Sequence, residues 1–195
     1  MLEIVLKDLA ETIRINALQS VINGAVLIGG YVILKAAYLY LNNKRPDINL
    51  SNIAGKYIFA CYIMYVLYLV LFSREPGSRE GVNLELFGTY SESPRAQAYM
   101  VENILLLIPF GFLLPFLSRR LATFTSALTL GMIFSLIIET TQYITKRGYF
   151  QADDIWLNTV GAVIGFITAF TLMQVLRFLK SQKLHSGMPS HRNIK

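Results

Sequence analysis

Cysteine, histidine and charge are all scarce in this chain, and each scarcity closes off a class of function. The one cysteine, Cys61, lies in an apolar run. It forbids an intramolecular disulfide, argues against a thiolate metal site, and reads as a packing residue. The two histidines, His185 and His191, fall in the polar stretch SQKLHSGMPSHRNIK, which reads as solvated chain rather than a metal site. Only 15% of the 195 residues are charged, against about 25% in an ordinary soluble domain. Internal repeats and low-complexity segments are lacking as well. The formal net charge of +6 does not point to nucleic acid, because the basic residues sit at the ends of apolar runs and in the tail. That placement fits membrane orientation, and no nucleic-acid partner is expected.

What the chain has is hydrophobic length. Apolar residues make up 54% of it, and mean hydropathy is +0.47. Several apolar windows approach the ~20 residues that a helix needs to cross a bilayer. The pattern predicts an all-α integral membrane bundle of about five helices, near 17–41, 54–72, 99–117, 121–143 and 155–179. Ahead of them, Leu2, Val5, Leu6, Leu9 and Ile13 form one helical stripe, so residues 1–16 are expected to be an amphipathic interfacial helix. Glu3, Asp8 and Glu11 make this segment a poor signal peptide. Residues 17–180 form the multi-pass domain, and 181–195 a flexible basic tail.

Alternate loops of a five-helix chain share a side. One side collects Lys44, Arg45, Lys56, Arg119, Arg120, Arg177, Lys180, Lys183, Arg192 and Lys195. The other collects Lys7, Arg14, Arg74, Arg79, Arg95, Lys146 and Arg147, with most of the acids. Ten against seven places the first group inside a plasma membrane, with the N-terminus out and the C-terminus in. The loops 73–98 and 145–154 then face outward.

Between the last two apolar runs lies ETTQYITKRGYFQADDIWLNTVGAVIG, from Glu139 to Gly165. Polar groups are costly at membrane depth and usually face a bundle interior, a cavity or the interface. Glu139 and Gln142 share a helical face, and Asp154 shares one with Asn158, continued inward by Gly161 and Gly165. The fourth helix is the expected neighbour of that face because the connecting loop is short. Lys146 and Arg147 can fold back over the carboxylates. Asn103 is placed at the start of the third helix as a cap or inward-facing group, and Arg74 and Asn83 at the outer rim. Pro109 and Pro115 predict a kinked or broken third helix whose freed carbonyls are buried or line a cavity. The plainer readings are an interfacial ion pair for Arg147 with Asp153 or Asp154, and packing alone for Gly161 and Gly165.

These residues resemble the VanZ-like family of small multi-pass membrane proteins. The resemblance spans about residues 72–170. It is carried by Ser73-Arg74, Asn83-Leu84, the block from Asn103 to Phe112 around Pro109 and Gly111, Ile138-Glu139-x-x-Gln142, and Arg147 with Asp153-Asp154, Asn158, Gly161 and Gly165. Two positions depart from the family pattern: Gln151 stands where an additional Asp is frequent, and Leu86-Phe87 where Pro-Phe is. The resemblance implies a bacterial envelope protein associated with reduced susceptibility to teicoplanin and related lipoglycopeptides, and implies no reaction or cofactor.

Two functions of different class follow. In the first, the outer-leaflet cluster binds an amphiphilic or anionic ligand through Arg74, Asn83, Asn103, Glu139, Gln142, Arg147, Asp154 and Asn158. Its partners would be membrane lipids, lipid-linked envelope precursors or a lipoglycopeptide. In the second, the chain is a membrane hydrolase or transferase acting on a lipid-linked phosphate or glycan. Glu139, Asp153 and Asp154 are then the catalytic candidates, and Mg²⁺ enters only under this alternative. Transport, with Glu139 carrying protons, is a weaker third, since five helices without a repeat need a second copy to make a transporter. A homo-oligomer is compatible with any of them.

Overall fold

A computed structural model describes residues 1–42, 44, 50–72, 75–77, 81–86 and 93–186. Five long helices dominate: α1 (Leu2–Leu41), α2 (Leu50–Phe72), α3 (Pro94–Leu117), α4 (Phe124–Ile144) and α5 (Ala152–Ser186). A 3₁₀ turn, Arg119–Leu121, joins α3 to α4, and two short strands, β1 (Val82–Asn83) and β2 (Phe150–Gln151), pair at the loop end. Each long helix holds an apolar stretch long enough to cross a membrane. The expected all-α membrane bundle is therefore what the sequence forms.

The boundaries differ from the sequence reading in instructive ways. Residues 1–16 are helical and run on without a break into the first apolar stretch, so that α1 is 40 residues long, with no proline to interrupt it. Its amphipathic half packs onto the bundle: Val5 is buried, and Asp8 pairs with Arg95 of α3 at 3.8 Å. Helix α3 begins five residues earlier than expected because Ser93 caps it, accepting from the Ala96 N–H at 3.2 Å, with Pro94 in the first turn. Pro109 and Pro115 lie inside α3 without breaking it. Close by, the Tyr62 hydroxyl of α2 donates to the Leu106 carbonyl at 2.6 Å, one residue after the Leu105 carbonyl to which Pro109 has no N–H to donate. Helix α5 continues through Ser186, into the stretch expected as a flexible tail, and 187–195 lie outside the described residues.

The tightest pairing is α3 against α5. A Cβ on Gly161 would collide with the Ile104 carbonyl, one on Gly165 with the Ile108 carbonyl, and one on Gly111 with the Ala162 carbonyl. The small-residue face of α5 thus meets α3, not α4 as the short loop suggested. Helix α4 takes the adjoining flank, where a Cβ on Gly131 would approach the Ala162 Cβ to 2.7 Å. Bilayer tails are as apolar as leucine, so close packing rather than water exclusion holds such helices together.

The core joins four helices through Val66, Leu107, Leu114, Ile138 and Phe166, with Phe110 stacked on Phe134 at 5.0 Å between centroids. Helix α1 leans on α2, where Cys61 packs over Gly24 and the Asn23 amide donates to the Tyr68 hydroxyl at 3.0 Å. Ile133, Ile137, Leu136 and Met132 of α4 are exposed and form its lipid-facing side.

Valine at Gly161 is expected to cost about 2–3 kcal/mol, because the helix backbones must separate. Alanine at Gly30, where a Cβ meets nothing within 4 Å, is expected to be neutral or to stabilise by up to about 1 kcal/mol. Thermal melts of both variants in detergent test this, and a parental melting temperature for Gly161→Val would contradict the close-approach account.

Candidate functional site

The polar residues between α4 and α5 gather at one end of the bundle because a tight turn reverses the chain there. Helix α4 ends with Lys146 in the left-handed region at φ 54°. The Lys146 N–H donates to the Tyr143 carbonyl at 3.1 Å, and the Arg147 N–H to the Gln142 carbonyl at 2.9 Å. This paired closure satisfies the last carbonyls of the helix. A lysine takes the position that glycine normally fills, at a cost of roughly 1–2 kcal/mol.

The outer loop is laced onto that turn. The Gly77 N–H donates to the Lys146 carbonyl at 2.9 Å, and the Phe150 N–H to the Gly81 carbonyl at 3.0 Å. The strands pair in parallel, with Val82 opposite Phe150 and Asn83 opposite Gln151. Residues almost seventy apart in the chain therefore meet at the entrance of α5.

Glu139 supports this junction from below. It is 2% exposed, and its Oε2 accepts from the Gln151 N–H at 3.2 Å. One carboxylate oxygen thus ties α4 to β2 just before α5 begins. The bond goes to backbone, so it does not depend on which side chain stands at 151. Asp153 is buried and Asp154 half-buried in the first turn of α5, where carboxylates favour the helix dipole.

One turn further in, the buried Asn158 donates from Nδ2 to the Ser135 hydroxyl at 2.9 Å. Its Oδ1 is also buried and meets no hydrogen-bond partner among the described residues. Thr159 beside it returns its hydroxyl to the Ile155 carbonyl at 2.7 Å, as buried threonines in membrane helices do.

The sequence candidates divide accordingly. Glu139, Asp154, Asn158 and Asn83 belong to elements that meet at this end. The Asn83 side chain accepts from the Glu85 N–H at 3.0 Å and so shapes its own loop. The Gln142 and Arg147 backbones close α4, while their side chains are half-buried. Asn103 is not a cap: with α3 starting at Pro94, it lies in the third turn, half-buried. Arg74 lies outside the described residues. No three His, Cys, Asp or Glu side chains among the described residues are placed to hold a metal ion.

Two residues of the site escaped the sequence reading. Ser135 lies one turn before Glu139 on the Glu139–Gln142 stripe, a spacing that could have found it. The Gln151 N–H carried no signal, because a backbone group has none.

The sequence pattern of the VanZ/LLP1 family matches residues 59–174, which run from α2 through the loop-end junction into α5. This chain belongs to the VanZ/LLP1 family. Protein VanZ of Enterococcus faecium is 26% identical over 126 residues, covering 60% of this chain and 73% of the relative. No solved structure matches the chain. All of α1 lies ahead of the family match.

Alanine at Glu139 removes the acceptor of the half-buried Gln151 N–H and is expected to cost about 1–3 kcal/mol. Glutamine, whose amide oxygen can still accept, should retain most of that. Glycine at Lys146 should stabilise by up to about 1 kcal/mol through relief of the left-handed backbone. Urea or SDS unfolding of the purified variants measures all three, and equal stability for Glu139→Ala and Glu139→Gln would remove the anchoring role.

Proposed function

We propose that this family member binds an amphiphile bearing anionic groups at the loop-closed end of the bundle, and so contributes to resistance against lipoglycopeptides of the teicoplanin type. The observation that carries this reading is the buried Asn158 Oδ1, which meets no partner among the described residues. A buried acceptor in a membrane bundle costs free energy unless something donates to it. A ligand hydroxyl or amide is such a donor, and the Arg147 guanidinium at the adjoining turn suits an anionic group. The family pattern runs through all of these residues.

The hydrolase or transferase reading draws less support. Glu139, one of its two candidate bases, is engaged in holding the Gln151 N–H.

Resistance is tested by expressing the chain in a teicoplanin-susceptible bacterium and measuring the inhibitory concentration. The full chain should raise it, and Asn158→Ala and Arg147→Ala should each return it to baseline at unchanged membrane abundance. Full resistance in both variants, or none with the parent chain, would overturn the proposal.

The same reading places the loop end outside and the C-terminus inside, on the balance of basic residues. A reporter fused after Lys195 that is active only in the cytoplasm should be active. An inactive reporter on a membrane-inserted fusion would reverse the topology.

A further inference from the structure

The end of the bundle away from the loop junction gathers basic side chains from four segments. Helices α3 and α5 run in the same direction and in step, Ile104 against Gly161 and Ile108 against Gly165. Carried on, that register brings Arg119 and Arg120, just past the end of α3, to the level of Arg177 on α5. Helix α2 passes this level near its start, since a Cβ on Gly55 would stand 3.5 Å from the Phe116 carbonyl, and Lys56 follows. The Lys56 ammonium donates to the Tyr31 hydroxyl of α1 at 2.8 Å, and Lys35 lies one turn further along α1.

The charge here is unbalanced. Among the described residues none of these five cations pairs with a carboxylate. The described acids lie toward the other end, from Asp8, which meets Arg95 at the start of α3, to Glu139, Asp153 and Asp154 at the junction. The sequence between α1 and α2 adds one acid, Asp47, and two further bases, Lys44 and Arg45.

The turn between α3 and α4 holds two of the cations in a fixed frame. The Arg120 N–H donates to the Ser118 hydroxyl at 3.3 Å and the Leu121 N–H to the Ser118 carbonyl at 3.0 Å, and both arginine side chains are exposed. Helix α4 has 21 residues. At the helical rise it covers about 31 Å, close to the thickness of a hydrocarbon core. The loop junction and this turn therefore stand at opposite headgroup layers. Phe116 and Phe124, on either side of the turn, are exposed and border the cations with apolar surface.

We propose that this end binds the phosphodiester headgroup of an anionic glycerophospholipid, whose acyl chains lie against Phe116 and Phe124. Guanidinium groups pair phosphate oxygens in bidentate fashion, and the lysines add point charge. A zwitterionic lipid brings its own ammonium and gains less from the same cations. Free phosphate lacks the chains. The inference does not rest on the resistance proposal, because its residues lie at the opposite end of the bundle.

The test is competition between phosphatidylglycerol and phosphatidylcholine of identical acyl chains for the purified full chain in neutral detergent, read by mass spectrometry of the intact complexes. Retained phosphatidylglycerol is expected to exceed phosphatidylcholine by about ten-fold or more, and Arg119→Gln with Arg120→Gln to lower that ratio about five-fold or more. Lys7→Gln with Arg14→Gln removes the same charge at the other end and should leave the ratio unchanged. Excess inorganic phosphate should not displace the lipid. Equal retention of the two lipids by the parent chain, or an unchanged ratio in the folded arginine variant, overturns the proposal. So does displacement by inorganic phosphate, which makes the occupant a soluble anion. An equal loss in the Lys7 and Arg14 control also overturns it, by reducing the effect to net charge. The lipid comparison uses the parent chain, so it decides the matter even where a variant fails to fold.

Discussion

Direct backbone contact between α3 and α5 governs the rest of the architecture. Gly161 and Gly165 place α5 against the carbonyls of Ile104 and Ile108, and Gly111 lets α3 approach Ala162 in return. With both axes fixed this closely, each remaining face of the two helices has a set task. The other flank of α5 meets α4 and carries Asn158. The far face of α3 looks toward α1 and α2. The polar seam between α4 and α5 is thereby kept apart from α1 and α2 by a single closely packed helix. In a bilayer, where apolar burial between helices brings little gain, this steric fit is the main source of specificity.

Much of the bundle was legible in the sequence because membrane helices announce themselves by apolar length. The polar stretch around Glu139 was equally visible, since costly groups in apolar surroundings attract notice. Harder to read was which helix faced which. The short loop suggested α4 as the partner for the glycine face of α5, but loop length constrains adjacency in the chain rather than the closest approach in space. Two neighbours compete for α5, and the small residues favour the one that offers bare backbone. The Ser93 cap and Pro94 were also in plain view, yet the polar residues that follow masked the true start of α3.

The loop-end junction was legible only in part. Asn83 and the residues around Gln151 lie far apart in sequence, and two-residue strands leave no alternation to detect. The anchoring bond from Glu139 ends on a backbone N–H, so the substitution pattern at 151 could not reveal it. Side-chain chemistry identified Glu139 as important, while its role follows from backbone geometry.

The α4–α5 polar seam has a closely packed floor. Glu139, Ser135 and Asn158 descend from the loop end, and the next contact inward is Gly131 against Ala162, beside the buried Thr159. Below Asn158 the two helices therefore meet through small residues. A side chain added at Gly131 would push up the floor of the seam from beneath while leaving the strand pair and the helix-ending turn at its rim in place.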